Sequence, residues 1–467
     1  MRSNVTIRGV DKSISVLKLS NDKKAFKNGF VFYTEDINPK IYTHRNPNDN
    51  YDERNTKYDN IHFEYFTIDF NRHPEQCPPE SIQYSSLYGI ALIHCRNSTI
   101  DNCCFTDYMS EEINNGFPAV VVFQSRDCSV TKCISNRITF IQSIYSENVT
   151  INDNHSEKSV GTSIETICGK GCVIERNYVN GVYWSVSCVG VNTIESVVRD
   201  NIVFCSATNG SCLTLGHKGY DYFSSSNTIV EGNFFESNNV RAITIQNGAD
   251  ILIKNNKVSC VLSNDSDTPT YGCVISRGLE NKNLTIENNE MIAYGDKSYG
   301  VVTFVGSGLI IIRNNIIKGK RGITLASEGI DAQILNNEVY STDYSITASL
   351  PKTIIIENNY LYDGISVKGC DKLFVKGNTF QSIDHSSYIY GRWNNIAIQN
   401  NVFNLNSSGK IDYLFLFNAE KIDNKYDFVD FTIEGNHINS VNMKPQIVQF
   451  SQNKVIRDKF QSSSQYR

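Results

Sequence analysis

A short phrase, aliphatic, any, any, Asn, any, apolar, returns along most of the chain and limits its fold more than any other feature. It reads Ile151-Asn-Asp-Asn154, Ile174-Glu-Arg-Asn177, Val198-Arg-Asp-Asn201, Val230-Glu-Gly-Asn233 and Ile253-Lys-Asn-Asn256. It continues as Ile286-Glu-Asn-Asn289, Ile312-Arg-Asn-Asn315, Ile334-Leu-Asn-Asn337, Ile356-Glu-Asn-Asn359, Val375-Lys-Gly-Asn378, Ile398-Gln-Asn-Asn401 and Ile433-Glu-Gly-Asn436. Two weaker copies, Ile100-Asp-Asn-Cys103 and Val130-Thr-Lys-Cys133, put Cys in the Asn position. The copies recur about every 22 residues, with occasional insertions, and such a period means a solenoid whose repeats rest on their neighbours.

Each repeat has room for three short strands. Residues 242–246, 251–254 and 257–260 alternate apolar and polar with period two. The Asn suits a tight corner, because it tolerates left-handed backbone and hydrogen-bonds locally; stacked rung upon rung, it would satisfy amides inside the coil. The aliphatic positions are mainly Ile and Val, and no helical segment fits between them, which excludes a leucine-rich repeat. The expected fold is all-β: a right-handed, single-stranded parallel β-helix, a three-sheet solenoid of about 22 residues per rung.

Composition narrows the function. With 44 Lys and Arg against 49 Asp and Glu, the net charge of −5 offers no basic field for nucleic acid. No stretch has the roughly 18 apolar residues of a membrane span, and residues 1–20 lack an apolar core of secretory length. Neither nucleic acid nor membrane is an expected partner. The 14 Cys fall where repeats place small core residues, so reduced thiols are expected. No cofactor is expected; Ca²⁺ stays open as an alternative that no motif supports.

The repeated phrases resemble the right-handed parallel β-helix of the pectate-lyase-like superfamily over residues 60–440, with Asn60-Ile-His-Phe-Glu-Tyr-Phe-Thr-Ile-Asp69 as an early rung. Residues 1–59 are read as a rung fragment and polar loop lacking a full cap, and 441–467 as a polar tail. The resemblance implies a rung order of first sheet, second sheet, short Asn turn, third sheet and a longer return turn. It also implies a saccharide groove on the outer face of the first sheet. Its sharper catalytic signatures, Asn-Thr-Asp, an Asp pair and Asp-Pro-His, do not occur here, so no catalytic residue is carried over by motif.

Aligning the first-sheet strands puts Ala91, Val121, Gln142, Glu165, Thr214, Thr244, Val274, Val302, Thr324 and Ser366 in one outward column, with Glu165 its one carboxylate. A carboxylate amid neutral neighbours suits acid–base work on a glycosidic bond; the plainer alternative is a solvated strand Glu. Glu165, His217, Asp221 and Arg241 are the expected catalytic group. Gln142, Tyr183, Trp184, Thr214, Lys218, Tyr220, Thr244 and Arg277 are expected to bind substrate, the aromatic rings by stacking on sugars. Asp107, Glu111 and Glu112, with Asp69, are candidates for a second carboxylate. The long insertions 104–118, 207–226, 261–271 and 404–428 belong on a working face.

Three functional readings follow. The first is a polysaccharide depolymerase most like a phage tailspike, a homotrimer on a virion tail or cell surface. The second is a polysaccharide lyase or uronate epimerase of the envelope or cell exterior. The third is a glycan-binding adhesin or structural solenoid without catalysis.

Overall fold

A computed structural model describes residues 3–19, 29–34, 56–71, 87–106, 118–159, 161–181, 187–206, 210–217, 224–238, 241–261, 272–278, 280–295, 301–383, 386–390, 394–405, 413–418, 430–439 and 446–450. Strands and turns make up these residues, and no helix occurs among them. The chain divides into two compact units, 1–261 and 262–467. Each is a right-handed three-sheet parallel β-helix, the hand that parallel crossovers adopt.

One rung of the first unit shows the plan. The first-sheet strand Arg241–Ile245 leads into Gly248–Lys254 on the second sheet, then Lys257–Val261 on the third. Each strand pairs in parallel with the strand one rung before it: Leu213 with Ile243, Val230 with Ile253 and Phe235 with Val258. These six residues point inward and are fully buried or nearly so. Ile, Val, Leu and Phe from the three sheets meet in the coil, and each such side chain contributes roughly 1.5–3 kcal/mol on burial.

Strand pairing extends to either side of residues 60–440. Val5–Arg8, Val16–Lys18 and Gly29–Tyr33 pair with Ile61–Glu64, Thr67–Asp69 and Leu87–Ile93 on the second, third and first sheets. Gln446–Phe450 pairs with Tyr413–Asn418.

The repeated Asn lies at the turn between the second and third sheets, but it is not the left-handed residue. That conformation belongs to the residue before it. Asn102, Lys132, Asp153, Arg176, Asp200, Asn255, Asn288, Asn314, Asn336, Asn358 and Asn400 all have φ between 51° and 57°. Gly232, Gly377 and Gly435 take the same place in other rungs. The ladder Asn turns inward instead and is buried. The side-chain amide of Asn177 donates to Ile151 O of the preceding rung at 2.9 Å, while its Oδ1 accepts from both the backbone N (3.0 Å) and Nδ2 (2.9 Å) of Asn154. The pattern repeats through Asn201, Asn233 and Asn256, and in the second unit from Asn289 to Asn436. Where Cys133 stands in the Asn position, its backbone N still donates to Asn154 Oδ1 at 2.9 Å. At the corner after the first sheet, Ser125 and Ser146 form a shorter ladder: Cys95 N donates to Ser125 Oγ and Ser125 N to Ser146 Oγ.

Outside the second sheet, charges alternate from rung to rung in the register Glu175, Arg199, Glu231, Lys254. Arg176 bridges Asp153 of the rung below at 2.8 Å and holds its carboxyl below the usual range. Solvent-exposed pairs such as Arg176–Asp153 add little to stability.

The ladder makes a direct stability test. Asn337→Ala leaves the buried backbone N–H of Asn315 without its acceptor, which costs about 1–3 kcal/mol, whereas Asn315 Nδ2 keeps Ile286 O and Arg313 O; a lower urea midpoint is expected. Asn336→Gly, at the left-handed position, should change stability by less than about 0.5 kcal/mol. Equal effects of the two substitutions would remove the ladder from its central role.

The thiols provide a second test. Cys95, Cys128, Cys172 and Cys370 are free and buried. Burial pushes Cys95 and Cys172 up to about 11 and Cys370 up to about 12, and raises Cys128 as well. Among the described cysteines, native alkylation in mildly alkaline solution should reach the half-buried Cys104 and Cys168 before these four, because the thiolate is the nucleophile and must be reached by the reagent. The unfolded chain ionises its thiols near 9.0, whereas folded Cys95 and Cys172 do so only near 11. Their contribution to stability is therefore intact below 9.0 and is lost as the pH rises toward 11, which a pH series of urea midpoints can follow.

Candidate functional site

The outer face of the first sheet in the unit 1–261 carries one continuous row: Ala91, Val121, Gln142, Glu165, Gly190, Thr214 and Thr244. A parallel row two residues on holds Ile93, Phe123, Ile144, Ile167 and Asn192. The early rungs of this face are apolar. Tyr88, Ala91, Ile93, Val121, Phe123, Ile144, Tyr145 and Ile167 form a buried cluster, with Phe123 and Tyr145 edge to face at 6.0 Å. The later rungs are polar, and Glu165 stands at the change.

Both neighbouring rungs hold the Glu165 carboxylate. Gln142 Nε2 donates to Oε2 at 2.8 Å from the rung below, and Asn192 Nδ2 approaches Oε1 at 3.5 Å from the rung above. Directly beside it in the row, Gly190 presents no side chain. A Cβ there would lie 3.3 Å from Glu165 Cγ, 3.4 Å from Ser187 Oγ and 3.5 Å from Thr162 Cγ2, so glycine lets the buried strand pack closely against the Glu165 side chain. Asn192 Oδ1 and Thr214 Oγ1 are buried without a hydrogen-bond partner among the described residues. Unsatisfied polar atoms are uncommon in folded proteins and often mark a ligand or catalytic role. A carboxylate fixed by amide donors, with an idle amide oxygen one rung along and an idle hydroxyl two rungs along, can position a polyhydroxylated ligand and exchange a proton with it.

The structure brings Gln142, Glu165, Thr214 and Thr244 into one row. His217 follows the strand Ser211–Leu215 past its end, whereas Arg241 opens the strand Arg241–Ile245, so these two flank the row from opposite ends. Arg277 follows Gly272–Ser276 and belongs to the other unit. Tyr183, Trp184, Lys218, Tyr220, Asp221, Asp107, Glu111 and Glu112 lie outside the described residues. Asp69 does not join Glu165: it is on the third sheet, where it accepts from Asn71 N at 2.9 Å and lies 3.8 Å from Lys18 Nζ.

The expected column also slips in the second unit. Val274 pairs with Val302, and Val302 with Ile323, all inward and fully buried. The outward row there is Thr303, Thr324, Thr347 and Ser366. β-Branched residues occupy both faces of these strands, Val274 and Val302 inward and Ile275 and Thr303 outward, so an aliphatic pattern cannot fix their register. Gly190 and Asn192 were missed for a related reason. Their strand, Val189–Ile194, carries Gly where an outward side chain is sought, yet two rungs of residues between Glu165 and Thr214 already call for a strand midway.

No known family model and no curated protein matches the sequence. Several solved structures do resemble it. DFA-IIIase from Arthrobacter chlorophenolicus A6, crystallised with GF2, is 16% identical with a TM-score of 0.42, over 64% of this chain and 68% of that one. The Streptococcus pneumoniae surface adhesin PfbA is 11% identical with a TM-score of 0.43, over 70% and 84%. The tailspike of E. coli bacteriophage HK620 is 10% identical with a TM-score of 0.39, over 81% and 71%.

The hydrogen bonds at Glu165 separate two substitutions. Glu165→Leu strands the Gln142 amide and should lower the unfolding free energy by about 1 kcal/mol, read as a lower urea midpoint, whereas Glu165→Gln keeps an acceptor in place and should leave the midpoint nearly unchanged. Equal midpoints for the two variants would mean that the carboxylate is not held as described.

Proposed function

We propose that this protein binds a polysaccharide along the outer face of the first sheet in the unit 1–261 and cleaves it with Glu165 as the acid–base group. The observation that carries this reading is the setting of Glu165: a part-buried carboxylate oriented by Gln142 and Asn192, with the idle polar atoms of Asn192 one rung along and Thr214 two rungs along. Successive residues of the row recur every ~4.8 Å, so sugars laid along it would meet Gln142, Glu165, Gly190 and Thr214 in turn. A carboxyl group in this place serves either cleavage chemistry, handing a proton to a leaving oxygen or taking one from a ring carbon. Within this reading the protein works as a tailspike-like depolymerase, a homotrimer on a virion tail or cell surface.

A second reading, glycan binding without cleavage, is favoured by the outer face of the third sheet. There His155 stacks on Tyr178 at 4.5 Å, followed by Phe204 and Phe234 at 5.9 and 5.7 Å. Half-exposed aromatic faces of this kind stack on sugar rings without chemistry.

Incubation with a panel of capsular, O-antigen and uronate polysaccharides decides between them. Size-exclusion chromatography should show shortened chains with the parent protein and at least about a hundredfold slower shortening with Glu165→Gln, at unchanged binding. Ultraviolet absorbance of the products separates elimination, which leaves an unsaturated sugar, from hydrolysis. Binding without shortening by the parent protein would support the second reading and overturn the first.

A further inference from the structure

In the unit 262–467, three consecutive corners between the first and second sheets carry Gly329, Leu350 and Gly369, with φ of 75°, 56° and 59°. Two of the three lack a side chain, and a Cβ on Gly329 would meet nothing within 4 Å. The bare corners open a cleft of about 410 Å³. Lys368 and Tyr390, neighbours in register, line its first-sheet side, with the Lys368 ammonium 5.9 Å from the ring centroid. Lys352 and Asp371 line the second-sheet side, where Asp371 N donates to Lys352 O at 3.1 Å. Glu328 closes one end, and Leu350, 44% exposed, lies between the two sides.

Two ion pairs are formed among the described residues of this unit, and neither lies at the cleft. Arg313 pairs with Glu287, and Arg321 with Asp343 at 2.6 Å. Lys352, Lys368 and Glu328 form no ion pair among the described residues. Two ammonium groups, an aromatic face, an exposed Leu and two carboxylates thus converge on one concave surface, the mixed lining typical of small-ligand sites.

We propose that this cleft is a second saccharide site, selective for a sugar unit that carries an anionic group. The apolar face of the ring lies on Tyr390 and Leu350, the anionic group between Lys352 and Lys368, and ring hydroxyls donate to Glu328 and Asp371. A neutral sugar leaves both ammonium groups unmatched; a small anion without a ring leaves the Tyr390 and Leu350 surface uncovered. The site makes no use of Glu165, so the protein would hold an acidic glycan at a place separate from the one where it is cut.

Calorimetric titration of the full chain with methyl glucuronide, glucose 6-phosphate, methyl glucoside and acetate tests this. One equivalent of at least one of the two anionic sugars should bind, with the neutral glycoside and acetate at least about tenfold weaker; the two anionic probes tell a carboxylate from a phosphate. The Lys352→Gln/Lys368→Gln double variant and Tyr390→Ala should each lose about tenfold in affinity, and Glu165→Gln should lose none. Both lysines are exposed, so the double variant should keep the thermal midpoint of the parent and remain informative if Tyr390→Ala fails to fold. Saturable binding of neither anionic sugar, equal affinity for the neutral glycoside or for acetate, or an unchanged affinity in the folded double variant would each overturn the proposal.

Discussion

Everything in this coil depends on how the short turn between the second and third sheets disposes of its buried amides. A polar backbone corner inside a stack of apolar rungs has no access to water, and an unmatched N–H there costs about as much as a lost hydrogen bond. The Asn ladder solves the problem by translation. Each side chain accepts two N–H groups of the rung below and donates to a carbonyl there, so every rung completes its neighbour. The same geometry explains the phrase in the sequence. The aliphatic residue points into the core, the residue before the Asn takes the left-handed corner, and the Asn turns in.

Because turns and inner faces hold the coil together, the outer faces are free to differ. The second sheet uses its outer face for alternating charges, and the third for stacked rings. On the first sheet the outer face of the unit 1–261 changes from a dry cluster around Phe123 and Tyr145 to a polar row at Gln142 and Glu165. That boundary puts a carboxylate against apolar neighbours on one side and amides and hydroxyls on the other. In the unit 262–467 the left-handed corners between the first and second sheets open a cleft lined by Glu328, Lys352, Lys368 and Asp371. Both departures fall where regular packing would allow a simpler choice of residues, the circumstance in which function is expected to override local consistency.

Much of the fold was legible in the sequence because a solenoid writes its period into every repeat. The Ile and Val of Ile151, Ile174 and Val198, and the Asn that follow, locate two strands and a turn without reference to distant residues. The first-sheet strands around Glu165, Thr214 and Thr244 were also legible, since their inward aliphatic residues are regularly spaced. What could not be read was decided by contacts between rungs. Asn and the residue before it are both compatible with a tight corner, and only the buried amides choose which one turns left. Valine at 274 and 302 satisfies either face of a strand. The role of Gly190 and Asn192 depends on Glu165 one rung away, and the cleft at Lys352 and Lys368 arises from glycines at corners three rungs deep.

The central claim is that a polysaccharide lies along the outer row of the first sheet with its reacting bond at Glu165. The most direct measurement is a crystal structure of the Glu165→Gln protein with a polysaccharide fragment that the parent protein shortens. The account expects sugar rings over Gln142, Gly190 and Thr214, with a glycosidic oxygen or the adjacent ring carbon within hydrogen-bonding reach of the substituted side chain. Rings seated on another face, with the Glu165 row unoccupied, would contradict it.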